Sequence, residues 1–247
     1  MRLNKYISST GMCSRREADA WIERGRVTVN GRRADLGTQV SETDQVRVNG
    51  RPITVRRKNH IYIALNKPSG ITCTTDRHVA GNIIDFIKHE ARIFPIGRLD
   101  KESEGLILLT SDGDVVNEIL RAEHKHEKEY IVTVDRPITD AVLAGMSRGV
   151  RLPELNVTTR RCRTSRISAR TFRIILTQGL NRQIRRMCEV FGYRVNRLQR
   201  IRIINIRLDG LKSGRWRNLK PSELRGLLPS AHAPSGAARR KLPDDQH

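Results

Sequence analysis

The 247-residue chain has no apolar run approaching the roughly 18 residues that a membrane helix needs, so no α-helical span is expected. Its opening, Met1-Arg2-Leu3-Asn4-Lys5-Tyr6, lacks the apolar stretch of a secretory signal, and a soluble protein of the cytoplasm is the expectation. Cysteine is sparse. Cys13, Cys73, Cys162 and Cys188 lie far apart with no C-x-x-C pair, which argues against a zinc site and a disulfide framework and suits a reducing compartment. No P-loop, G-x-G-x-x-G or H-E-x-x-H pattern occurs, so no cofactor and no metal are expected. Aromatics are few, at 4%, yet the 37% hydrophobic content suffices for a core. Acidic residues are also in short supply, 26 against 47 Lys and Arg, for a net charge of +21. A polyanion is therefore the default partner.

The charge is segregated. Residues 1–58 hold 13 basic and 6 acidic groups, net +7; residues 59–150 hold 11 and 14, net −3; residues 151–247 hold 23 and 6, net +17. Most of the excess is Arg, whose planar fork suits phosphate better than the point charge of Lys. A salt-dependent, phosphate-dominated interaction is expected.

The first segment reads as a small module. Ser14-Arg15-Arg16-Glu17 forms a capping box, and Ala18, Trp21 and Ile22 follow at helical spacing until Gly25. Leu3, Tyr6 and Ile7 make a shorter apolar face before it. Val27-Thr28-Val29-Asn30-Gly31 reads as a strand and a tight turn, and Val46-Arg47-Val48-Asn49-Gly50 repeats the pattern. Together with Leu3-Asn4-Lys5-Tyr6-Ile7, these runs resemble the S4 RNA-binding domain. The resemblance implies that Arg2, Lys5, Ser14, Arg15 and Arg16 face RNA.

Arg56-Arg57-Lys58-Asn59-His60 reads as a basic linker. Strands are expected over Ile61–Leu65, Leu106–Thr110, Tyr130–Val134, Phe172–Thr177 and Ile201–Leu208. Helices are expected over Asn82–His89, after Asp112-Gly113, from Pro137, and over Asn181–Phe191 with Asn181 as N-cap. Interleaved strands and helices predict an α+β body. From Pro229 onward small and charged residues dominate, and a disordered tail over 229–247 is expected.

Two stretches could carry chemistry. In Phe94-Pro95-Ile96-Gly97-Arg98-Leu99-Asp100 a carboxylate follows a turn and precedes a buried strand, where a loop can present a reactive group; a plain turn-forming Asp fits equally. In Gln178-Gly179-Leu180-Asn181-Arg182-Gln183-Ile184-Arg185-Arg186-Met187, helical spacing would put Arg182, Arg185 and Arg186 on one face, suited to phosphates or to a buried carboxylate. His124-Lys125-His126-Glu127 is a poor metal site, Asp112-Gly113-Asp114 is half a calcium loop, and Cys73 has no partner pattern for a thiol nucleophile.

Taken together, Gly97-Arg98-Leu99-Asp100, Glu129-Tyr130 and Asn181-Arg182-Gln183-Ile184-Arg185-Arg186-Met187 resemble the signature of pseudouridine synthases. Leu65-Asn66-Lys67-Pro68-Ser69-Gly70 and Leu108-Leu109-Thr110-Ser111-Asp112-Gly113 are also similar to that family. The likeness is to the branch that joins an N-terminal S4 domain to the catalytic fold, the RsuA/RluB/RluE/RluF group, and within it to members acting on large-subunit rRNA. It implies an S4 domain over 1–58 with an αL-like fold, then a catalytic domain over 59–228 with a mixed, mainly antiparallel sheet and flanking helices. It implies isomerisation of uridine to pseudouridine without a cofactor. Asp100 would be the nucleophile, at the ribose C1′ or the base, and a glycal route is open. Arg185 would pair with Asp100, and Tyr130 would stack on the base and assist proton removal. Arg98 would help hold a flipped nucleotide, and Arg182 and Arg186 would hold phosphate. The partner would be ribosomal RNA, with tRNA a further possibility and a monomer the plain expectation. A non-catalytic RNA-binding or ribosome-assembly protein is the rival from another class, and a base-releasing nucleosidase a weaker one.

Overall fold

A computed structural model of the chain describes residues 1–54, 60–120 and 126–228, with backbone alone at 117, 118 and 120. The expected linker, His60 excepted, lies outside the described residues, as do His124, Lys125 and the tail 229–247. The chain divides into two compact units, Met1–Ile61 with His89–Phe94 and Thr110–Gly113, and the remainder.

In the first unit, α1 (Leu3–Ser9) and α2 (Arg15–Glu23) precede β1 (Val27–Val29), β2 (Arg32–Arg33), β3 (Val46–Val48) and β4 (Arg51–Ile53), which pair in the order β2-β1-β3-β4. The capping box forms as its residue types require: Ser14 Oγ accepts the Glu17 N–H, and the Glu17 carboxylate accepts the Ser14 N–H. Asn30 and Asn49 have φ near +50°, and Gly31 and Gly50 are also left-handed, the geometry that lets Asn-Gly close a hairpin. Leu3, Tyr6 and Ile7 of α1 meet Ala18 and Ile22 of α2 and Val27, Val46 and Val48 of the sheet in one core. Arg2, Arg15 and Arg16 are exposed, while Lys5 and Ser14 are half-buried.

The second unit is built on a nine-stranded sheet. Its elements are β5 (Tyr62–Lys67), α3 (Ile83–Ile87), β6 (Phe94–Ile96), β7 (Glu104–Thr110), α4 (Gly113–Leu120), β8 (Lys128–Val134), α5 (Asp140–Arg148), a β9 (Arg151–Leu152) and β10 (Val157–Thr158) hairpin, β11 (Arg163–Ser168), β12 (Thr171–Leu176), α6 (Gln183–Val190), β13 (Val195–Ile203), β14 (Ile206–Arg207), β15 (Trp216–Asn218) and α7 (Pro221–Leu227). The strand order is β11-β12-β8-β13-β7-β5-β15, with β14 beside β13 and β6 beside β7. Most pairs are antiparallel, and β13 runs parallel to β7. Ala64, Leu106, Leu108, Ile203 and Leu219 form a core with Val115 and Ile119 of α4 and Leu227 of α7. The fold is α+β.

Local boundaries differ from the sequence expectation for identifiable reasons. Instead of one strand over Ile201–Leu208, β13 begins at Val195 and turns at a left-handed Ile204 into β14. The helix expected from Pro137 starts at Asp140, because Thr139 caps it by accepting the Val142 N–H. Asn181 does not cap α6: Arg182 is the N-cap, at φ +49°, and Asn181 Oδ1 accepts from Arg186.

Candidate active site

Asp100 stands in the loop between β6 and β7, and an unusual base holds that loop in place. Lys67, at the end of β5, is wholly buried and donates from Nζ to the carbonyls of Pro68 (2.9 Å), Ile71 (2.8 Å) and Lys101 (3.3 Å). The Pro68-Ser69-Gly70 turn adds two bonds: Gly70 N–H to Lys101 O at 2.8 Å and Ser69 Oγ to Glu102 O at 3.1 Å. Asp100 O accepts the Ser103 N–H. Burial pulls the Lys67 ammonium below the usual lysine range, and Cys73, Asp100, Glu102 and Glu104 oppose that shift. Lys67 is therefore a cation set beneath an acidic loop. Cys73 is buried and its sulfur accepts the Leu99 N–H at 3.4 Å. Burial raises its thiol pKa, which suits packing rather than nucleophilic attack.

The loop opens onto a cavity of about 270 Å³ lined by Arg98, Asp100, Ser103, His126, Lys128, Tyr130, Gln178, Arg182, Gln183 and Arg200, with Leu108, Leu176, Ile184 and Leu198 supplying apolar wall. Charged and polar side chains thus converge on the cavity from several elements, with apolar residues between them. Three separate stretches of the sequence, carrying Arg98 and Asp100, Tyr130, and Arg182, share one cavity.

The sheet register explains the floor of that cavity. Arg200 of β13 lies directly opposite Tyr130 of β8 and, on its other side, opposite Gly105 of β7. A Cβ at Gly105, where φ is +102°, would fall 2.3 Å from the Arg200 carbonyl oxygen, so only glycine allows β7 to approach so closely. Arg200 is 3% exposed. Its Nε donates to Leu106 O at 2.7 Å, its Nη1 lies 3.5 Å from the Tyr130 hydroxyl, and its guanidinium carbon is 5.9 Å from the ring centre. A register irregularity at Arg200–Arg202 adjoins this point, a common way for a strand to re-aim a side chain beside a site. Lys128, two residues before Tyr130 on β8, is pulled below the usual lysine range by burial and by the charge of Arg200.

The arginines of α6 separate. Arg182 Nη1 pairs with Glu102 at 3.1 Å, and Arg186 bonds to Asn181 and pairs with Glu154. The Glu102 carboxyl, accepting its own backbone N–H and then the Arg182 guanidinium, is held below the usual carboxylate range. Arg185 turns inward. It is 9% exposed, and its Nη1 donates to Val195 O at 3.1 Å. The expected pair between Arg185 and Asp100 is not formed, and the three guanidiniums do not share a face, because the left-handed Arg182 stands outside the helical period. Among the described residues no group of three or more His, Cys, Asp or Glu side chains is placed to hold a metal ion, and no helix is long and apolar enough to cross a membrane.

Sequence reasoning singled out Asp100, Tyr130, Arg98 and Arg182, which line the cavity, but not Lys67, Lys128, Gln178, Gln183 and Arg200. Gln183 is nearly buried, accepts the Leu180 N–H and donates toward Gln178.

Residues 61–190 match the family model for RNA pseudouridylate synthase, and residues 1–46 match the S4 domain. The chain belongs to the RNA pseudouridine synthases. This pseudouridine synthase is 54% identical over 241 residues to the dual-specificity RNA pseudouridine synthase RluF of Salmonella typhi, covering 97% of this chain and 83% of the relative. It is 34% identical over 233 residues to the ribosomal large subunit pseudouridine synthase B of Bacillus subtilis strain 168, covering 92% and 95%. A crystal structure of a pseudouridylate synthase superposes with a TM-score of 0.69 at 28% identity, covering 92% of this chain and 99% of that one. The enzyme isomerises uridine in RNA.

Proposed function

We propose that this pseudouridine synthase modifies a uridine of large-subunit ribosomal RNA, with residues 1–58 as its RNA-binding module and 59–228 as its catalytic domain. One observation carries the reading: Asp100 and Tyr130 line a single cavity whose rim holds Arg98 and Arg182. A uridine stacked in RNA cannot reach such a cavity, so the target nucleotide must turn out of the stack, with Arg98 helping to hold it there. Asp100 is the nucleophile, at C1′ or at the base. Tyr130, at the cavity floor, stacks on the uracil. Lys67 keeps the Asp100 loop in place from below, and Arg185 supports α6 through its bond to Val195 O. Arg182 and Arg186 meet RNA phosphate after leaving Glu102 and Glu154, and Arg2, Lys5, Ser14, Arg15 and Arg16 serve the S4 module.

The dual-specificity name of the relatives favours a second RNA substrate, for which tRNA is the candidate. We take the working form to be a cytoplasmic monomer.

The test is Asp100→Asn on the full chain with a large-subunit rRNA substrate. Pseudouridine formation, read by carbodiimide-primed reverse-transcription stops, should vanish while RNA affinity stays within about threefold, since one polar contact contributes little to a phosphate-dominated interface. Full activity in that variant would sink the assignment of Asp100. Stops at no rRNA position, together with stops in tRNA, would replace the rRNA assignment.

A further inference from the structure

Three buried side-chain polar atoms have no hydrogen-bond partner among the described residues: Ser103 Oγ, Arg185 Nε and Arg200 Nη2. Arg200 alone among these residues is both charged and part of the cavity wall. Other arginines of the sheet have carboxylates: Arg173 of β12 meets Glu129, and on β13 Arg197 meets Glu104 and Arg202 meets Glu127 and Glu129. Among the described residues Arg200 has none, although it is the most deeply buried of the four. A charge left unpaired in the interior is costly, and a core residue of the same shape would avoid that cost. Such a group is a candidate for function.

Its geometry says which function. A guanidinium has donors and no acceptor. Where Nη1 meets the Tyr130 hydroxyl, the phenolic oxygen must therefore accept, and the Tyr130 proton has to point elsewhere. Arg200 is the hydrogen-bond partner of that hydroxyl among the described residues, and Tyr130 lines the cavity. Nη2 has less than 1 Å² of accessible area, so that nitrogen does not itself reach a ligand. Two features hold it still: the bond to Leu106 O and the close approach of β7 at Gly105.

We propose that Arg200 is a positioning residue for the isomerisation, turning the Tyr130 hydroxyl into the cavity and holding the ring in its stacking orientation from below. The inference rests on the assignment of Tyr130 under Proposed function. Arg200 forms no bond to the RNA and gives up no proton in this role.

The experiment is a double-mutant cycle on the full-length chain. Single-turnover isomerisation of an rRNA fragment carrying 5-tritiated uridine is followed by tritium release, and RNA affinity is measured in parallel. Arg200→Met should slow the step by up to about tenfold, no more than Tyr130→Phe does, with affinity within about twofold. Arg200→Lys should recover part of the rate. In the Tyr130→Phe background, Arg200→Met should cost less than about threefold more, because the hydroxyl it acts through is gone. Three results overturn the proposal: a wild-type rate in Arg200→Met, losses that multiply in the double variant, or a wild-type rate in Tyr130→Phe. If Arg200→Met does not fold by thermal melting, the same cycle with Arg200→Lys decides between the same outcomes. Full activity in Asp100→Asn would instead defeat the site reading as a whole. An inactive Asp100→Asn beside an unimpaired Arg200→Met would remove this inference alone.

Discussion

Asp100 sits above a lysine whose three donors all go to backbone carbonyls. An ammonium placed that way acts as a rivet for the loop and as a positive charge beneath it, without neutralising the carboxylate by direct contact. Tyr130 is held from the other side, by a cation against its ring and hydroxyl. Two separable contributions follow for Tyr130, stacking by the ring and orientation by the hydroxyl. Tyr130→Phe keeps the first and should lower the single-turnover rate by roughly tenfold; Tyr130→Ala loses both and should lower it by a further factor of ten or more, a stacked base being worth about 1–3 kcal/mol. Equal losses in the two variants would assign the whole effect to the hydroxyl. At this scale much of the site was legible. Asp100 and Tyr130 stood in distinctive runs, whereas Lys67 and Arg200 looked like ordinary charges beside strands. Nothing in their local sequence shows that three carbonyls converge on one, or that the other faces a tyrosine 70 positions away.

At the scale of elements, the arrangement depends on how closely β7 and β13 run. Gly105 stands opposite Arg200, in a left-handed conformation, with no room for a side chain. Gly105→Ala adds both an unfavourable φ, about 1–2 kcal/mol, and overpacking against backbone, about 1–3 kcal/mol. The melting temperature should fall by several degrees, at about 2–4 °C per kcal/mol for a unit of this size. Isomerisation should fall more than stability explains, since the shifted strand carries Arg200. An unchanged melt would mean that the two strands have slack. Strand existence was readable for β5, β7, β8 and β12 because they are apolar runs bounded by turns. It was not readable for β11, whose residues are almost all exposed, nor for the start of β13, where arginines mask the alternation. The parallel β13–β7 pairing is a long-range choice that no local periodicity encodes.

For the whole molecule, charge and chemistry lie in different stretches of the chain. Residues 59–150, net −3, hold Asp100 and Tyr130, while the flanking stretches carry +7 and +17. The proposed nucleophile is a carboxylate in a cavity that Arg98, Lys128, Arg182 and Arg200 also line, so the cations there are few and placed. Binding, by contrast, needs many exposed cations and tolerates the loss of any one. The two functions should therefore respond differently to salt and to substitution. Arg15 and Arg16 lie in the first turn of α2 and are exposed. Arg15→Gln with Arg16→Gln should weaken binding to all RNA sequences alike and flatten the dependence of log affinity on log salt by about 1–2, since each phosphate contact contributes roughly 0.7–0.9 to that slope. The single-turnover rate at saturating RNA should stay at the wild-type value. An unchanged affinity and slope would remove these two arginines from the interface. A fall in the saturating rate would mean that the S4 segment shapes the RNA at the cavity as well as gripping it, and that binding and chemistry are coupled rather than divided.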